Sequence, residues 1–187
     1  MPVATEDEGG EASPLTPRQE RLVQAVADFQ MALSAIDFMC ELDEHRRLTR
    51  VERRRYRCFE DAAVIAYGRA FSNAEGLPFL VFKHMDFKPT PDEKELHDRL
   101  IERRRKVVAH SDADRQRILF ATEEFEADNG TFMIPHVDFD DALAFYSDRL
   151  RIMEWLRRLI HAVGAVLFNQ VQGVSPIHFV RDHTQPR

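Results

Sequence analysis

Only two cysteines, Cys40 and Cys58, occur in the 187 residues. That number excludes a disulfide framework and a cysteine-based metal knuckle, and both read as small core residues of helical segments. Glycine is also scarce, and the seven present form neither a phosphate-cradling loop nor a dinucleotide fingerprint; a serine nucleophile elbow is missing as well. The longest uninterrupted apolar run, Ala162 to Phe168, falls far short of the roughly 20 residues that cross a bilayer. With an acidic rather than a basic and apolar N-terminus, these features predict a cytoplasmic protein. Eight histidines are present, among them His84, His97, His110 and His136, with Asp86 close to His84. None stands at a metal-ligand spacing such as two histidines four apart with a glutamate between, so neither metal nor cofactor is expected.

The formal charge of -6 excludes a general nucleic-acid coat protein, yet the charge is unevenly distributed. Residues 1–15 carry Glu6, Asp7, Glu8 and Glu11 and no basic residue, and with Gly9, Gly10, Ser13 and Pro14 they read as a disordered leader. Between Arg46 and Arg57, by contrast, seven arginines face a single acid, Glu52. Arg50, Arg53, Arg54 and Arg57 share a helical face that could follow an RNA backbone, with Tyr56 as a stacking surface. The alternative is a solvated face paired with Glu41, Asp43, Glu44 or Glu60.

Apolar periodicity organises residues 16–173 into one helical domain, followed by an irregular tail at 174–187. Thr16-Pro17-Arg18-Gln19 is a capping box with proline at the first helical position. It starts a helix whose stripe is Leu22, Val26, Phe29, Leu33, Ile36 and Cys40 and which ends near His45. A second helix runs from about Thr49 to Phe71, with Val51, Cys58, Phe59, Ala62, Ile65, Ala66 and Ala70 broadly inward. The interrupted but apolar stretch from Leu77 to Phe87 must pack over the bundle or into a partner chain. Thr90-Pro91-Asp92-Glu93 repeats the cap and launches a third helix toward His110. At about 115–137 the period changes to two, around an Asp128-Asn129-Gly130 turn, which predicts an inserted β-hairpin. Asp138 with Asp141 is expected to cap a fourth helix reaching Gly173. Its apolar surface around Trp155 exceeds one face, as in a bundle that dimerises or in a monomer's central helix. The expected fold is an all-α, up-and-down four-helix bundle with a hairpin insertion.

The third helix carries the densest chemistry. Arg103, Arg104, Arg105 and Lys106 follow Arg99 by one turn and lead through Val107-Val108-Ala109 to His110. A guanidinium near an imidazole provides a cation for a phosphate and a titratable proton carrier. Cations near a helix C-terminus are also favoured simply by the helix dipole. At 100° per residue Arg103 shares the face of His110, whereas Arg104 is turned by about 120°; a helix that ends at or just before His110 would relax that geometry.

The segment Leu96 to His110 resembles the arginine, four to six residues, histidine motif of HEPN domains, helical domains of many prokaryotic toxin and defence ribonucleases. The order of helices over residues 16–172 is similar as well. The family's motif falls on Arg104 and His110, with Arg103 and Arg105 as substitutes for the arginine. Arg105 departs from the pattern, standing where the family often has asparagine or aspartate. The resemblance implies a metal-independent endoribonuclease with Arg104 and His110 as catalytic residues. RNA contact would come from Arg50, Arg53, Arg54, Arg57, Arg103, Arg105 and Lys106. It further implies a homodimer that composes the site from two protomers, and it raises a nucleotidyltransferase-type antitoxin as a partner. The alternatives are a catalytically silent HEPN-like module that binds RNA or protein, and a plain helical interaction protein.

Overall fold

Three threonines begin three of the helices. Thr16, Thr49 and Thr90 each accept a hydrogen bond from the backbone N–H three residues on, and the side chains of Gln19, Glu52 and Glu93 accept one from the cap's own N–H. Each pair satisfies two donors that a helix start would otherwise leave open. The computed structural model describes residues 15–42, 46–73, 76–108, 118–127, 130–139, 143–170 and 172. Its helices are α1 (Pro17–Cys40), α2 (Arg50–Ala70), α3 (Pro91–Arg103) and α4 (Arg149–Gln170), and strands β1 (Ile118–Ala127) and β2 (Gly130–Phe139) pair antiparallel. The fold is mainly helical with one small sheet. The expected leader (all but Leu15) and the tail lie outside the described residues.

Helix α1 lies against both α2 and α4, and α3 adds to one side of α2. Leu22, Phe29, Ile36 and Met39 of α1 meet Tyr67 of α2 and Trp155, Leu156 and Leu159 of α4 in one continuous core. Alanines at 25, 32 and 35 of α1 and at 63, 66 and 70 of α2 are buried between them, which lets the helix axes approach closely. By length and composition alone α1 could cross a membrane; here its apolar stripe is the wall of the core.

Helix α2 is rotated from the face that apolarity predicts. Glu60, Ala63, Val64, Ala66, Tyr67 and Ala70 point inward, while Val51 is 76% exposed, Ile65 is 40% exposed, and Ala62 and Cys58 are also exposed. The reason is that Glu60 and Tyr67 find hydrogen-bond partners inside the bundle, which offset part of the cost of burying them. Cys40 is exposed as well, its Sγ 3.5 Å from Met153 Sδ. Neither cysteine is the core residue that its helical setting suggests.

The connection from α2 to α3 covers the bundle. Leu77, Leu80 and Met85 are buried, and Phe82 and Phe87 pack edge-on against Trp155. The guanidinium of Arg21, itself 2% exposed, donates to the carbonyls of Ser72 and Pro78, both at 2.6 Å.

The fourth helix starts later than expected. β2 continues through Phe139 and takes Asp138 into the strand opposite Leu119, while Asp141 lies outside the described residues. Ahead of α4, the backbone N–H groups of Ala144 and Phe145 donate to Glu60 at 3.1 and 2.8 Å, and a short 3₁₀ turn covers Tyr146–Asp148. Bonds committed to Glu60 are not available to a continuous helix, so α4 begins only at Arg149. The first helix likewise stops at Cys40 rather than near His45.

Candidate functional site at the arginine-rich turn

The α-helical part of α3 ends at Arg103, and Arg104–Val108 forms a single π-helical turn. A π turn inserts one extra residue into the helical repeat, so it re-aims the side chains that follow. This is where the three neighbouring arginines part. Arg103 points toward the bundle interior, its Nη2 3.9 Å from Oε1 of fully buried Glu60. Arg105 is exposed. Arg104 runs over α2 at Gly68, where a Cβ would stand 2.3 Å from its Cδ and 2.9 Å from its Cγ. Gly68 is therefore the notch through which Arg104 passes.

Beyond that notch Arg104 lines an open polar groove of about 400 Å³ together with Arg21, Gln24, Ala27, Asp28, Arg69, Ser72 and Asn73. Asp28 and Arg69 form an ion pair at 2.6 Å across the α1–α2 seam. Burial pushes the Asp28 carboxyl above its usual range, against the pull of Arg69. Arg21 is held by its two carbonyl acceptors, and burial lowers its affinity for a proton; it serves as a clamp on the connection. Arg104, by contrast, has no carboxylate within salt-bridge distance among the described residues. The groove thus offers three guanidinium groups, of which Arg21 is held by carbonyls and Arg69 is answered by a carboxylate, beside one hydroxyl and two amides. An anion held by Arg104 in such a half-enclosed setting gains more than it would in open water.

The other residues singled out by sequence are only partly gathered here. His110 lies outside the described residues. Lys106 pairs with Glu102 at 2.8 Å, and Arg57 pairs with Asp61 at 3.0 Å. Arg46 bonds Glu52, whose carboxyl is held down to about 2 by that bond and by the Thr49 cap. Of the α2 stripe, Arg50 is half-buried and Arg53 and Arg54 are exposed. Among the described residues the stripe pairs with Glu52 and Asp61, and Asp43 and Glu44, two of the acids that sequence suggested, lie outside them.

One polar chain escaped sequence reading. Trp155 Nε1 donates to the Tyr67 hydroxyl at 2.9 Å, and that hydroxyl lies 2.7 Å from His97 Nδ1. With the Trp155 proton already directed at it, the Tyr67 oxygen donates onward, which requires a neutral Nδ1 on His97. Phe71 and Phe82 stand edge-on to the imidazole at 4.7 and 4.9 Å. Burial lowers the His97 pKa to about 4, and burial likewise drives the Tyr67 phenol far above its usual range. The three residues come from α2, α3 and α4, and no local motif links them. An edge of signal existed in His97 lying seven residues before Arg104, on the same side of α3.

Among the described residues no group of three histidine, cysteine, aspartate or glutamate side chains could hold a metal ion. No protein-family model matches the chain, and comparisons with curated proteins and with solved structures find no match.

Proposed function

We propose that the chain is a metal-independent endoribonuclease of HEPN type with a toxin or defence role, working as a homodimer. The observation that carries this reading is Arg104: a guanidinium threaded past Gly68 into a polar groove, without a carboxylate partner among the described residues. In this reading His110 takes the proton from a ribose 2′-hydroxyl as its oxygen attacks the phosphorus. The bond to the 5′-oxygen breaks, that oxygen is protonated as it leaves, and the products are a 2′,3′-cyclic phosphate and a 5′-hydroxyl. Arg104 binds the phosphate whose charge builds during in-line attack. Exposed Arg105 extends the phosphate contact, whereas Arg103, Arg57 and Lys106 are engaged by Glu60, Asp61 and Glu102 and contribute less. Arg50, Arg53 and Arg54 are a secondary track on α2. A nucleotidyltransferase-type antitoxin belongs to this proposal through the family resemblance alone.

The test is incubation of the purified protein with RNA in EDTA, beside Arg104→Ala and His110→Ala. Cyclic-phosphate ends are expected from the wild type, with each variant slower by about 10²-fold or more. Intact RNA, or equal cutting by all three proteins, overturns the reading. The Asp28–Arg69 pair favours a second one, a catalytically silent module, because Asp28 adds negative charge to the groove that a phosphate would enter. Retention of RNA without cleavage would select it.

A further inference from the structure

The groove that Arg104 enters holds hydrogen-bonding groups that a phosphate does not need. Its notch is fixed from both sides: the Ser72 hydroxyl donates to the Gly68 carbonyl at 2.6 Å, and Arg21 donates to the Ser72 carbonyl at 2.6 Å. Asp28, on the α1 wall, is answered on one oxygen only. Arg69 brings Nε to 2.8 Å and Nη2 to 2.6 Å of Oδ1, and Oδ2 accepts no hydrogen bond among the described residues. The Asp28 side chain is 14% exposed, so an open acceptor on it gains from a ligand's donor. Gln24 stands one turn before Asp28 on α1, lines the same groove and makes no hydrogen bond among the described residues. The groove's volume of about 400 Å³ falls in the range of small-molecule sites, roughly 300–1,000 Å³.

We infer, on the reading that this groove seats an RNA phosphate, that it also selects the base of that nucleotide, and that the base is guanine in single-stranded RNA. A carboxylate only accepts hydrogen bonds, so it favours an edge made of donors and disfavours a facing lone pair. Guanine alone places two adjacent donors, N1–H and N2–H, on its Watson–Crick edge. Adenine and cytosine set a ring-nitrogen lone pair beside the amino group, and uracil flanks its single N–H with two carbonyls. Asp28 Oδ2 takes the guanine donors, the Gln24 amide donates to O6, and Arg104 holds the phosphate. The Asp28 charge that counts against a bare phosphate thus counts toward one base.

The experiment is fluorescence anisotropy on the full chain with labelled 2′-O-methyl tetranucleotides, uridine throughout except for guanine, adenine, cytosine or uracil at the third position. The methyl groups block attack by the 2′-oxygen, so binding is read without cleavage. Wild type is expected to bind the guanine probe about tenfold or more tighter than the other three. Asp28→Asn is expected to shrink that ratio to about twofold or less while all four probes still bind. Arg69→Gln, which breaks the same ion pair but keeps the carboxylate, retains the preference. Arg104→Ala and Gly68→Ala weaken all four probes alike. No binding by the wild type, equal binding of the four probes, preference for another base, or a preference that Asp28→Asn and Arg69→Gln alter equally overturns the inference. The unmethylated guanine probe separates the two readings: preference without cleavage removes the ribonuclease and leaves the guanine site, and cleavage without preference does the reverse.

Discussion

The helical body and the hairpin use aromatic residues in opposite ways. In the body, Phe29, Tyr67, Phe71, Phe82 and Trp155 close on one another with ring centroids 5.1 to 5.9 Å apart, and the few polar groups among them are answered by hydrogen bonds. In the hairpin, Phe120, Phe125 and Phe132 are each more than half exposed, and the strands rely mainly on each other. The body thus draws stability from buried area and satisfied polar groups, whereas the hairpin leaves its side chains exposed. Substitutions should separate accordingly: large losses within the body, small ones on the hairpin.

The largest loss is expected at Glu60. Glu60→Ala removes the acceptor of two backbone N–H groups and the carboxylate 3.9 Å from Arg103, a loss of about 3–5 kcal/mol. Urea denaturation by circular dichroism measures it, and Glu60→Gln, which keeps an acceptor, should lose less. A loss below that of an exposed substitution would show that the segment before α4 is held by packing alone.

Next is the Trp155–Tyr67–His97 chain. Tyr67→Phe leaves the indole N–H and the imidazole Nδ1 without their shared partner, and about 1–3 kcal/mol should be lost. The same denaturation experiment reads it, and an unchanged midpoint would mean that the chain is geometrically present but energetically idle.

A pH effect follows from His97. Its folded pKa of about 4 lies below the ordinary value of about 6.5, so between these values the unfolded chain binds more protons. The contribution is therefore fully present above pH 6.5 and is lost as the pH falls toward 4. Discounted for the partial exposure of the ring, it is about 1–2 kcal/mol. Protonation would set two donors, Nδ1–H and the indole N–H, against the Tyr67 oxygen and leave the phenolic proton without an acceptor. Unfolding midpoints measured from pH 7.5 to 4.5 should fall less in His97→Gln than in the wild type.

The smallest effect belongs to the hairpin. Phe120→Ser, at an exposed position of β1, should change stability by no more than about 0.5 kcal/mol. A loss as large as that of Tyr67→Phe would show that the hairpin is part of the body's core after all.

Local chemistry made much of the fold legible. Thr16, Pro17 and Gln19, and again Thr90, Pro91 and Glu93, announce helix starts because a cap is settled within four residues. The hairpin was equally legible, since alternation around Asp128-Asn129-Gly130 is a nearest-neighbour signal. The face of α2 was not: Val51 and Ile65 are more apolar than Glu60, yet Glu60 is inside because Ala144 and Phe145, 84 and 85 positions away, supply its donors. The same holds for the start of α4 and for the parting of Arg103, Arg104 and Arg105, which follows from a π turn and from Glu60 and Gly68 on another helix.

By itself, then, the sequence determined where helices begin, that a hairpin interrupts them, and that cations gather at the end of α3, because each depends on residues a few positions apart. Only the tertiary structure decided which arginine enters the groove, which face of α2 is buried, and that the Leu77–Phe87 connection closes over the bundle. Those outcomes depend on distant donors, acceptors and gaps that meet only when the chain is folded, and periodicity along one helix carries no record of them.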